Sequence, residues 1–481
     1  MSKATSADAM LTLQAAALAT NGGTAHGDRQ FSGVSTDTRS IAAGELFVAL
    51  KGEHFDGHEY VRQALAQGAA AGMVESAWAE AQADDLPLIA VKDTRRALGE
   101  LAANWRSRFV LPLIGITGSN GKTTVKEMCA SIFRQQARRS QGATGPTEVR
   151  QSVLATTGNL NNNIGVPLML LRMRSRHLAA VIEMGMNHPG EIAYLTNIAR
   201  PTVAVITNAQ RAHLEGLGGL SAVARAKGEI FAGLSDDGVA VINADDPHAP
   251  LWRELNQSRT VLTFGLTHAA DISARYTLQQ FGSLLWLTTP QGESDGEVRL
   301  KLPGVHNVMN ALAATAAALA AGVAVDAIAA GLSEFSGVKG RLQHLRARHG
   351  AVLIDDSYNA NPDSVRAAID VLAALQGKKI LVFGDMGEVG EQAGQFHDEI
   401  GGYAKSMGVD RMLALGDLAA AAVRNFDGGG EHFKSVGALL DALVPMLDAD
   451  TTVLVKGSRF MKMERVVEAI YAPEGDAEIS T

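Results

Sequence analysis

Short apolar runs recur along the chain and alternate with longer segments that have helical periodicity. The runs are rich in valine, isoleucine and leucine, and glycine or polar side chains follow many of them. Continuous apolar runs of this kind are typical of strands that are buried on both faces of a parallel sheet. The chain is therefore predicted to be an α/β protein. The clearest runs are residues 113–117, 180–183, 203–207, 239–243, 352–355, 380–383, 412–415 and 453–455.

The best-defined helix is predicted directly after Gly121. Its apolar side chains recur at intervals of three and four residues and share one face: Val125, Met128, Cys129, Ile132 and Phe133. A charged helix is predicted over residues 93–108. The stretch 259–301 contains alternating apolar and polar residues and predicts β-hairpins, whereas the polar segment 138–157, with its glycines and proline, predicts a loop.

Changes in this pattern divide the chain into three blocks. With 481 residues and roughly 150 residues per domain, about three domains are expected. The first block, residues 1–108, ends in the charged helix. The second, residues 109–332, carries a glycine-rich motif, and the third, residues 333–481, contains at least four strand–helix units.

Composition excludes several classes of protein. Hydrophobic residues make up 46% and charged residues 20% of the chain, which suits packed cores and not a disordered chain. The net charge of −8 argues against a nucleic-acid-coating protein. The single cysteine, Cys129, excludes a disulfide framework and a cysteine-rich metal site. Residues 1–20 lack a secretory signal pattern, and the Ala-rich segment 311–325 is too short for a membrane span, so a cytoplasmic protein is expected.

A phosphate-binding loop is the strongest chemical signal. It lies between the strand 113–117 and the amphipathic helix, where backbone N–H groups, a helix N-terminus, a lysine and a hydroxyl can hold phosphates and Mg²⁺. Ile116 occupies the first glycine position of the longer motif, so only the short form G-x-x-G-K-T is present. The motif predicts nucleotide binding but leaves kinase, motor, GTPase and ligase open. Its candidate residues are Gly118, Ser119, Asn120, Gly121, Lys122, Thr123 and Thr124.

A carboxylate and an imidazole follow two of the predicted strands. Glu183 ends the strand 180–183, and His213 comes a few residues after the strand 203–207. Ligands bind at the carboxyl ends of parallel strands, so Glu183 and His213 are predicted to hold Mg²⁺, although Mg²⁺ prefers oxygen ligands and His213 alone could be structural. Lys227 lies in a short helical segment, and a surface lysine is the alternative interpretation there.

Polar residues also cluster in the second half of the chain. Asn307 stands near the start of the Ala-rich helix, where it could cap the helix or recognise adenine through its amide. Arg341 and the run 355–362 come next. So many polar side chains after a strand indicate a ligand site more than a turn. The segments 384–388 and 456–459 also follow strands.

These motifs together resemble the Mur ligase family of ATP-dependent amide-bond ligases. The resemblance covers nearly the whole chain. The phosphate loop and His306-Asn307 are shared by the wider superfamily, whereas the runs Gly-Asn-Leu-Asn-Asn and Asp-Ser-Tyr-Asn-Ala-Asn-Pro are more specific. The segment 138–157 is longer than is usual for the family. The matching segments are residues 37–39, 44–52, 117–124, 158–167, 183, 212–216, 226–231, 306–307 and 356–362.

The resemblance implies three domains and an enzyme of peptidoglycan precursor synthesis. The expected fold is a smaller α/β N-terminal domain that binds a UDP-linked substrate, a central P-loop ATPase-like parallel sheet and a C-terminal Rossmann-like ligase domain. The expected reaction joins D-alanyl-D-alanine to UDP-N-acetylmuramoyl-tripeptide through an acyl phosphate, with ATP and two Mg²⁺ ions. No nucleic acid partner and no transmembrane segment are expected, and the chain is expected to be a monomer.

The resemblance also implies roles for single residues. Lys122, Glu183, His213 and Lys227 would be catalytic, with Thr123, Glu183 and His213 as metal ligands and Lys227 carbamylated. Asn307, Arg341 and Asp356 would bind the nucleotide. The UDP-linked substrate would contact Thr38 and Arg39 in the first domain and Asn159 and Asn163 in the second. Tyr358, Asn359 and Asn361 would serve the nucleotide or the dipeptide, and the domains would close on the substrates.

Other functions remain open at this point. Within the superfamily, the ligase that adds the third stem residue and a folylpolyglutamate synthase are alternatives. A small-molecule kinase would use the same phosphate loop but form a stable phosphate ester. A nucleotide-binding protein without activity is disfavoured by the intact Lys122, Thr123, Glu183 and His213. Glutamine-dependent amidating relatives carry a cysteine-rich zinc element, which a single cysteine excludes.

Overall fold

The computed structural model describes residues 9–82, 85–141, 145–294 and 296–473, without the side chains of residues 140 and 141. The first eight residues of the chain and residues 142–144 of the predicted loop lie outside this range. Among the described residues, no helix is long and apolar enough to cross a membrane.

The first part of the chain forms a small mixed sheet with helices beside it. The sheet order is β2-β7-β6-β5-β4, in which only β2 is antiparallel to its neighbour, and β1 pairs with β3 separately. The predicted charged helix is α4. Asp93 caps its first turn by accepting the N–H of Arg96 at 2.9 Å. Its elements are β1 (Leu11–Thr12), α1 (Leu13–Ala19), β2 (Thr24–His26), β3 (Gln30–Phe31), β4 (Gly33–Ser35), β5 (Glu45–Val48), α2 (Val61–Ala66), β6 (Ala71–Glu75), α3 (Ser76–Glu80), β7 (Leu88–Val91) and α4 (Thr94–Arg106).

The middle of the chain forms a six-stranded parallel sheet in the order β13-β12-β11-β8-β10-β9. Every residue of β8, β10 and β11 is buried, as the continuous apolar runs predict. The predicted helix α5 buries its apolar face on this sheet. The elements are β8 (Leu113–Thr117), α5 (Lys122–Gln141), α6 (Pro146–Gln151), β9 (Val153–Ala155), α7 (Gly165–Leu171), β10 (Ala179–Glu183), α8 (Glu191–Ala199), β11 (Val203–Ile206), α9 (Leu214–Leu217), α10 (Leu220–Gly228), β12 (Val239–Asn243), α11 (Ala249–Glu254) and β13 (Thr260–Phe264).

An antiparallel sheet and two helices follow the parallel sheet. The predicted hairpins are present, since β14 pairs with β15 and β15 with β16 and β17. The hairpin prediction is wrong for the first part of its range, because β13 pairs in parallel with β12 and extends the main sheet. The elements are β14 (Ser273–Gln279), β15 (Gly282–Thr289), β16 (Gly292–Glu293), β17 (Val298–Leu300), α12 (Val305–Ala320) and α13 (Val325–Glu334).

The prediction of a loop over residues 138–157 is wrong for most of that segment. Helix α5 continues to Gln141, and α6 and the edge strand β9 follow. Two ion pairs hold the end of α5 against α13: Arg138 lies 2.6 Å from a carboxylate oxygen of Glu334, and Arg139 lies 2.9 Å from Asp326. Pro146 suits the first position of α6, where no N–H is needed.

The last part of the chain forms a second six-stranded sheet in the order β18-β19-β23-β20-β21-β22, in which only β18 is antiparallel. Short 3₁₀ turns occur in all three parts of the chain, at Gly57–Tyr60, Glu229–Gly233, Arg348–Gly350, Gly390–Gln392, Val444–Met446 and Arg459–Met461. The elements are β18 (Gln343–Arg346), β19 (Val352–Asp356), α14 (Pro362–Ala373), β20 (Lys378–Gly384), α15 (Ala393–Ser406), β21 (Arg411–Leu415), α16 (Ala419–Phe426), β22 (Gly430–Phe433), α17 (Val436–Leu443), β23 (Thr451–Lys456) and α18 (Glu464–Ile470).

The strand order brings the predicted site residues to two sheet edges. Strands β10 and β11 flank β8, so Glu183 and the segment after β11 lie beside the phosphate loop. In the last sheet, β19 pairs with β23 and places Asp356 opposite Lys456. The carboxyl ends of parallel strands are where α/β sheets bind ligands.

Candidate functional site

The phosphate loop connects β8 to α5 and contains two positions that require glycine. Gly118 and Gly121 have φ angles of +146° and +83°, which strain any other residue. A Cβ atom would lie 1.9 Å from Oγ1 of Thr207 at Gly118 and 2.2 Å from Oδ1 of Asn310 at Gly121. The loop backbone is therefore held close to two neighbouring segments, and the N–H groups of Ser119 and Asn120 donate to Asn208.

Lys122 lies at the start of α5 and points back over the loop. Its Nζ donates hydrogen bonds to the carbonyls of Gly118 at 2.6 Å and Ser119 at 3.0 Å. Burial lowers the pKa of Lys122, and Arg341 lowers it further, whereas Glu183 and Glu388 raise it. The amine is thus held in the concave face of the loop, where the outer phosphates of a nucleotide would need a cation.

Thr123 and Glu183 meet as the strand order predicts. The Thr123 hydroxyl donates to Oε2 of Glu183 at 2.9 Å, and Nδ2 of Asn161 donates to Oε1 at 2.8 Å. The backbone N–H of Glu183 donates to the hydroxyl of Thr156. Glu183 is buried, and these hydrogen bonds fix both its carboxylate oxygens and its backbone N–H.

The oxygen atoms of Thr123 and Glu183 fit Mg²⁺, which takes a few protein oxygens and completes its shell with phosphates and water. The described residues contain no group of three or more His, Cys, Asp and Glu side chains that could hold a metal by themselves. A magnesium site here would therefore depend on the nucleotide.

His213 contacts the last domain. It has a φ angle of 57°, and its Nδ1 lies 2.8 Å from Oε2 of Glu388, which has a φ angle of 60°. His213 holds the pKa of the Glu388 carboxyl below its usual range, against the effect of burial. The joint metal role predicted for Glu183 and His213 stays a prediction, whereas the contact of His213 with Glu388 was not anticipated.

Lys227 is fully buried, so the alternative of a surface lysine is wrong. It lies near the end of α10, and its Nζ has no hydrogen-bond partner among the described residues. Burial lowers its pKa well below the ordinary value, and the charge of Lys122 adds to this, while Glu183, Glu229 and Glu191 oppose it. Burial therefore favours the neutral amine form of this side chain.

Two cavities adjoin the phosphate loop. One of about 390 Å³ is lined by the loop, His213, Glu388, Asn359, Asn361 and the segment 458–460. The other, of about 200 Å³, lies toward α12 and is lined by His306, Asn307, Asp356 and Lys456. Both cavities include Arg341 and the loop residues Asn120 and Gly121 in their walls. They form one continuous region on the carboxyl edge of the central sheet.

Asn307 lies inside the first turn of α12, so the interpretation as a helix cap is wrong. Gly304 occupies the cap position. The Asn307 amide donates to the carbonyl of Pro303 at 2.8 Å and accepts from Asn310 at 3.1 Å. Its side chain is buried at the wall of the smaller cavity.

Asp356 and Arg341 face the same region from the last domain. Asp356 lies 2.5 Å from Nζ of the buried Lys456 and accepts the N–H of Leu342 at 3.1 Å. The Arg341 guanidinium lies 4.2 Å from the centroid of the Tyr358 ring. Arg341 can therefore reach both cavities from a fixed aromatic support.

Hydrogen bonds and ion pairs join the middle part of the chain to the last part beside the phosphate loop. The amides of Asn120 and Asn361 exchange hydrogen bonds at 2.7 and 3.2 Å. Asn361 also caps α14 by accepting the N–H of Ser364. Arg211 pairs with Asp363 at 2.6 Å and with Glu399 at 2.8 Å. The last domain thus supplies one wall of the site.

The four residues predicted to bind the UDP-linked substrate line neither of the two cavities. Arg39 is exposed and pairs with its neighbour Asp37 at 2.6 Å, and Thr38 lies in the same loop after β4. Neither Asn159 nor Asn163 lines the two cavities. In that run the contact with Glu183 comes from Asn161, which was not singled out.

Three residues of the site were missed: Asn161, Glu388 and Lys456. Each lies in a segment that the sequence does mark, either the Asn-rich run or the polar stretches 384–388 and 456–459 after strands. The sequence pattern identified these segments but not the residue in each that contacts the site.

Comparisons with known proteins support the same description of the chain. Family models match residues 30–106 as the Mur ligase family catalytic domain, residues 116–318 as the Mur ligase middle domain and residues 340–459 as the Mur ligase glutamate ligase domain. A UDP-N-acetylmuramoyl-tripeptide–D-alanyl-D-alanine ligase from Escherichia coli K12 is 43% identical, over 94% of this chain and 96% of that protein.

Solved structures agree with these matches. A crystal structure of MurF from Acinetobacter baumannii has a TM-score of 0.85 and 38% identity, covering 95% of this chain and 97% of that chain. The MurF ligase from Thermotoga maritima in complex with ADP has a TM-score of 0.77 and 26% identity, covering 91% and 96%. The α/β fold expected from the apolar runs is therefore shared with both structures.

Proposed function

The chain belongs to the Mur ligase family, and from this premise we propose that it joins D-alanyl-D-alanine to the tripeptide of UDP-N-acetylmuramoyl-tripeptide, with ATP converted to ADP and phosphate. The 43% identity to a ligase of this name over almost the whole chain carries the choice of substrates. The site supports the chemistry, because Lys122 lies over the phosphate loop and Thr123 donates to the buried Glu183. We place the enzyme in the cytoplasm, where ATP is available.

The reaction needs ATP because a free carboxylate does not acylate an amine at neutral pH. An oxygen of the terminal peptide carboxylate attacks the γ-phosphorus of ATP, and ADP leaves. The neutral amine of the dipeptide then attacks the carbonyl carbon of the acyl phosphate. The tetrahedral intermediate expels phosphate, the nitrogen loses a proton, and an amide remains.

The phosphate loop serves the first step by positioning and by charge. Carboxylate and triphosphate are both anionic and repel each other without cations. Lys122 is already directed into the loop and can turn from the carbonyls of Gly118 and Ser119 to phosphate oxygens. Phosphoryl transfer depends mostly on such positioning and neutralisation.

Thr123 and Glu183 would hold Mg²⁺ against the nucleotide phosphates. A bound Mg²⁺ supplies charge neutralisation and fixes the phosphate oxygens. Glu183 and His213 are assigned to a second ion. Asn161 and Thr156 fix the Glu183 carboxylate and backbone, so that the oxygens keep one orientation before a ligand binds.

Lys227 is assigned as a carbamate. Carbon dioxide reacts only with a neutral amine, and burial of Lys227 favours that form by lowering its pKa. The Nζ atom has no partner among the described residues, although it is completely buried. A carbamate would turn this unpaired donor into an anion that supports the second ion on the Glu183 side.

The nucleotide base and ribose are assigned to the smaller cavity. Asn307 at the start of α12 would contact adenine, and Arg341 and Asp356 would contact the ribose and phosphates. Thr38 and Arg39 are assigned to the uridine diphosphate, and Asn159 and Asn163 to the muramoyl peptide. Tyr358, Asn359 and Asn361 are assigned to the nucleotide or the dipeptide. One chain supplies all of these residues, so we propose a monomer.

Replacing Arg341 by methionine is expected to weaken ADP binding about 10-fold, because a charge-assisted hydrogen bond contributes about 1.5–3 kcal/mol. Isothermal titration calorimetry with ADP measures the change. Arg346→Met removes an exposed arginine of the neighbouring strand β18 and serves as the matched control. Equal affinities in both variants would remove Arg341 from the nucleotide site.

Replacing Glu388 by glutamine is expected to raise the Mg²⁺ concentration for half-maximal activity about 10-fold. A carboxylate on one imidazole nitrogen orients the other nitrogen toward a metal, and loss of such a partner costs about 10- to 100-fold. Glu391→Gln changes an exposed carboxylate in the same loop and is the control. An unchanged Mg²⁺ dependence in E388Q would show that Glu388 does not orient His213 as a metal ligand.

Oxygen-isotope transfer tests the acyl phosphate directly. With ¹⁸O in the terminal carboxylate of the tripeptide, one ¹⁸O atom is expected in the inorganic phosphate that is released, as measured by mass spectrometry. A kinase would instead keep the label in a phosphorylated product. Phosphate without ¹⁸O would exclude activation of this carboxylate by phosphorylation.

A further inference from the structure

An open groove of about 870 Å³ lies along β9, the edge strand of the central sheet. The second half of α5, helix α6 and the segment 172–177 form its walls. It shares no lining residue with the two cavities at the phosphate loop. Several of its lining residues come from the segment 138–157, to which the proposed reaction gives no role.

Arginine dominates the lining of this groove. Among the described lining residues the only carboxylate is that of Glu127, which lies 2.7 Å from the ammonium of Lys126. Within the described part of the chain, no carboxylate lies within 4 Å of the guanidinium of Arg150, Arg172 or Arg176. The chain as a whole has a net charge of −8, so the groove departs from the rest of the surface. The lining arginines are Arg134, Arg138, Arg150, Arg172, Arg174 and Arg176.

The guanidinium of Arg174 is held in place by the fold. It donates to the carbonyls of Leu171 at 2.9 Å, Met173 at 2.8 Å and Ser32 at 2.7 Å. It also lies 5.8 Å from the centroid of the Trp105 ring. Such a guanidinium keeps its position when the groove is empty, so little order has to be gained on binding.

Two donors in the groove have no acceptor among the described residues. Nε of Arg134 is buried without a partner among the described residues. His177 is 8% exposed, and its Nδ1 accepts the N–H of Arg174 at 2.9 Å. Its proton is therefore on Nε2, for which the described residues provide no acceptor. Burial, together with Arg176 and Arg174, lowers the pKa of His177 to about 4, so the ring is a neutral donor at pH 7.

We propose that this groove is a second anion site, which binds a small molecule with two or more phosphate groups. The planar fork of arginine matches phosphate oxygens, and fixed donors with no protein acceptor are what such a ligand would satisfy. A membrane surface fits less well, since none of the large exposed apolar side chains in the described part of the chain lines the groove. The net negative charge of the chain disfavours nucleic acid.

The groove is connected to the catalytic region through β9. The strand leads directly into Thr156, whose hydroxyl accepts the N–H of Glu183 and whose carbonyl accepts from Lys126 at 2.6 Å. A ligand that fixes β9 thus also fixes the support of Glu183. The phosphates could come from the diphosphate of a UDP-linked substrate or from a separate phosphate compound. The site itself does not rest on the proposed ligase activity.

Calorimetry with inorganic tripolyphosphate tests the proposal. The full-length protein is saturated with ADP in magnesium-free buffer, which fills the phosphate loop, at about 0.15 M salt. We expect one equivalent of tripolyphosphate to bind. The double variant Arg150→Met, Arg176→Met changes two exposed side chains of the groove and is expected to weaken binding at least 10-fold. Arg134→Met is expected to weaken it as well.

The matched control is the double variant Arg253→Met, Arg424→Met, which removes two exposed arginines elsewhere. Its affinity for tripolyphosphate is expected to equal that of the unchanged protein. Equal losses in both double variants would show general charge attraction, and absence of binding would overturn the site. Competition by UDP would assign the groove to a UDP-linked ligand, whereas binding unaffected by UDP would assign it to a separate phosphate compound.

Discussion

Replacing Lys122 by methionine is expected to lower kcat by about 10³-fold or more. Among the described residues, Lys122 is the only lysine that lines the larger cavity at the loop, and its Nζ already lies over the phosphate loop. Preorganised cations that meet charge developing on a transferred phosphoryl group contribute about 10²–10³-fold or more. Methionine keeps the apolar stem, so the loss reports the charge. Initial rates of phosphate release measure it.

Lys434→Met is the control for this prediction, because Lys434 is exposed and remote in sequence from the loop. It is expected to keep the full rate. Circular dichroism and thermal unfolding of K122M should match the unchanged protein, since Nζ bonds only to loop carbonyls. A K122M enzyme within about 10-fold of the normal rate would mean that another cation neutralises the outer phosphates.

Replacing Lys227 by alanine is expected to lower kcat by about 10²–10³-fold, through loss of an anion that supports a metal ion. The variant leaves a buried cavity of the size of the lysine side chain. Formate is expected to restore part of the activity, because its carboxylate can take the place of the carbamate. Methylammonium, which replaces an amine, is expected not to. The opposite pattern would show that Lys227 acts as a cation.

The same lysine also affects stability. In the unfolded chain Lys227 titrates near pH 10.4, and burial lowers its pKa in the folded protein. Between these values the unfolded chain binds more protons, so the free energy of unfolding rises with pH. At pH 7 Lys227→Met is therefore expected to unfold at a higher temperature than the unchanged protein in buffer free of carbon dioxide. The difference should shrink toward about pH 10. A less stable K227M at pH 7 would contradict a neutral buried amine.

The fold could be predicted where buried strands dominate the sequence. The apolar runs correspond to strands β8, β10, β11, β12, β19, β20, β21 and β23, because a strand covered on both faces leaves a continuous apolar signal. The segment 138–157 was mispredicted because its order depends on distant residues. Near the end of α5, Arg138 and Arg139 form ion pairs with Glu334 and Asp326 of α13, and local composition carries no information on these pairs.

The site was predictable to the level of segments. Strand order alone brings Glu183 to Thr123, so this contact followed from the pattern of the sheet. The choice of Asn161 over Asn159 and Asn163 depends on how one loop turns, which periodicity does not specify. The burial of Lys227 depends on packing of α10, which a single helical turn of sequence does not reveal.

Phosphate release from ATP with each substrate omitted in turn tests the central claim most directly. The purified protein is given Mg²⁺, UDP-N-acetylmuramoyl-tripeptide and D-alanyl-D-alanine, and the products are identified by mass. We expect release that requires both substrates, together with one amide product and ADP. Release with a UDP-muramoyl dipeptide and a diamino acid, but not with D-alanyl-D-alanine, would contradict the assigned substrates. A phosphate ester in place of an amide would contradict the ligase reaction itself.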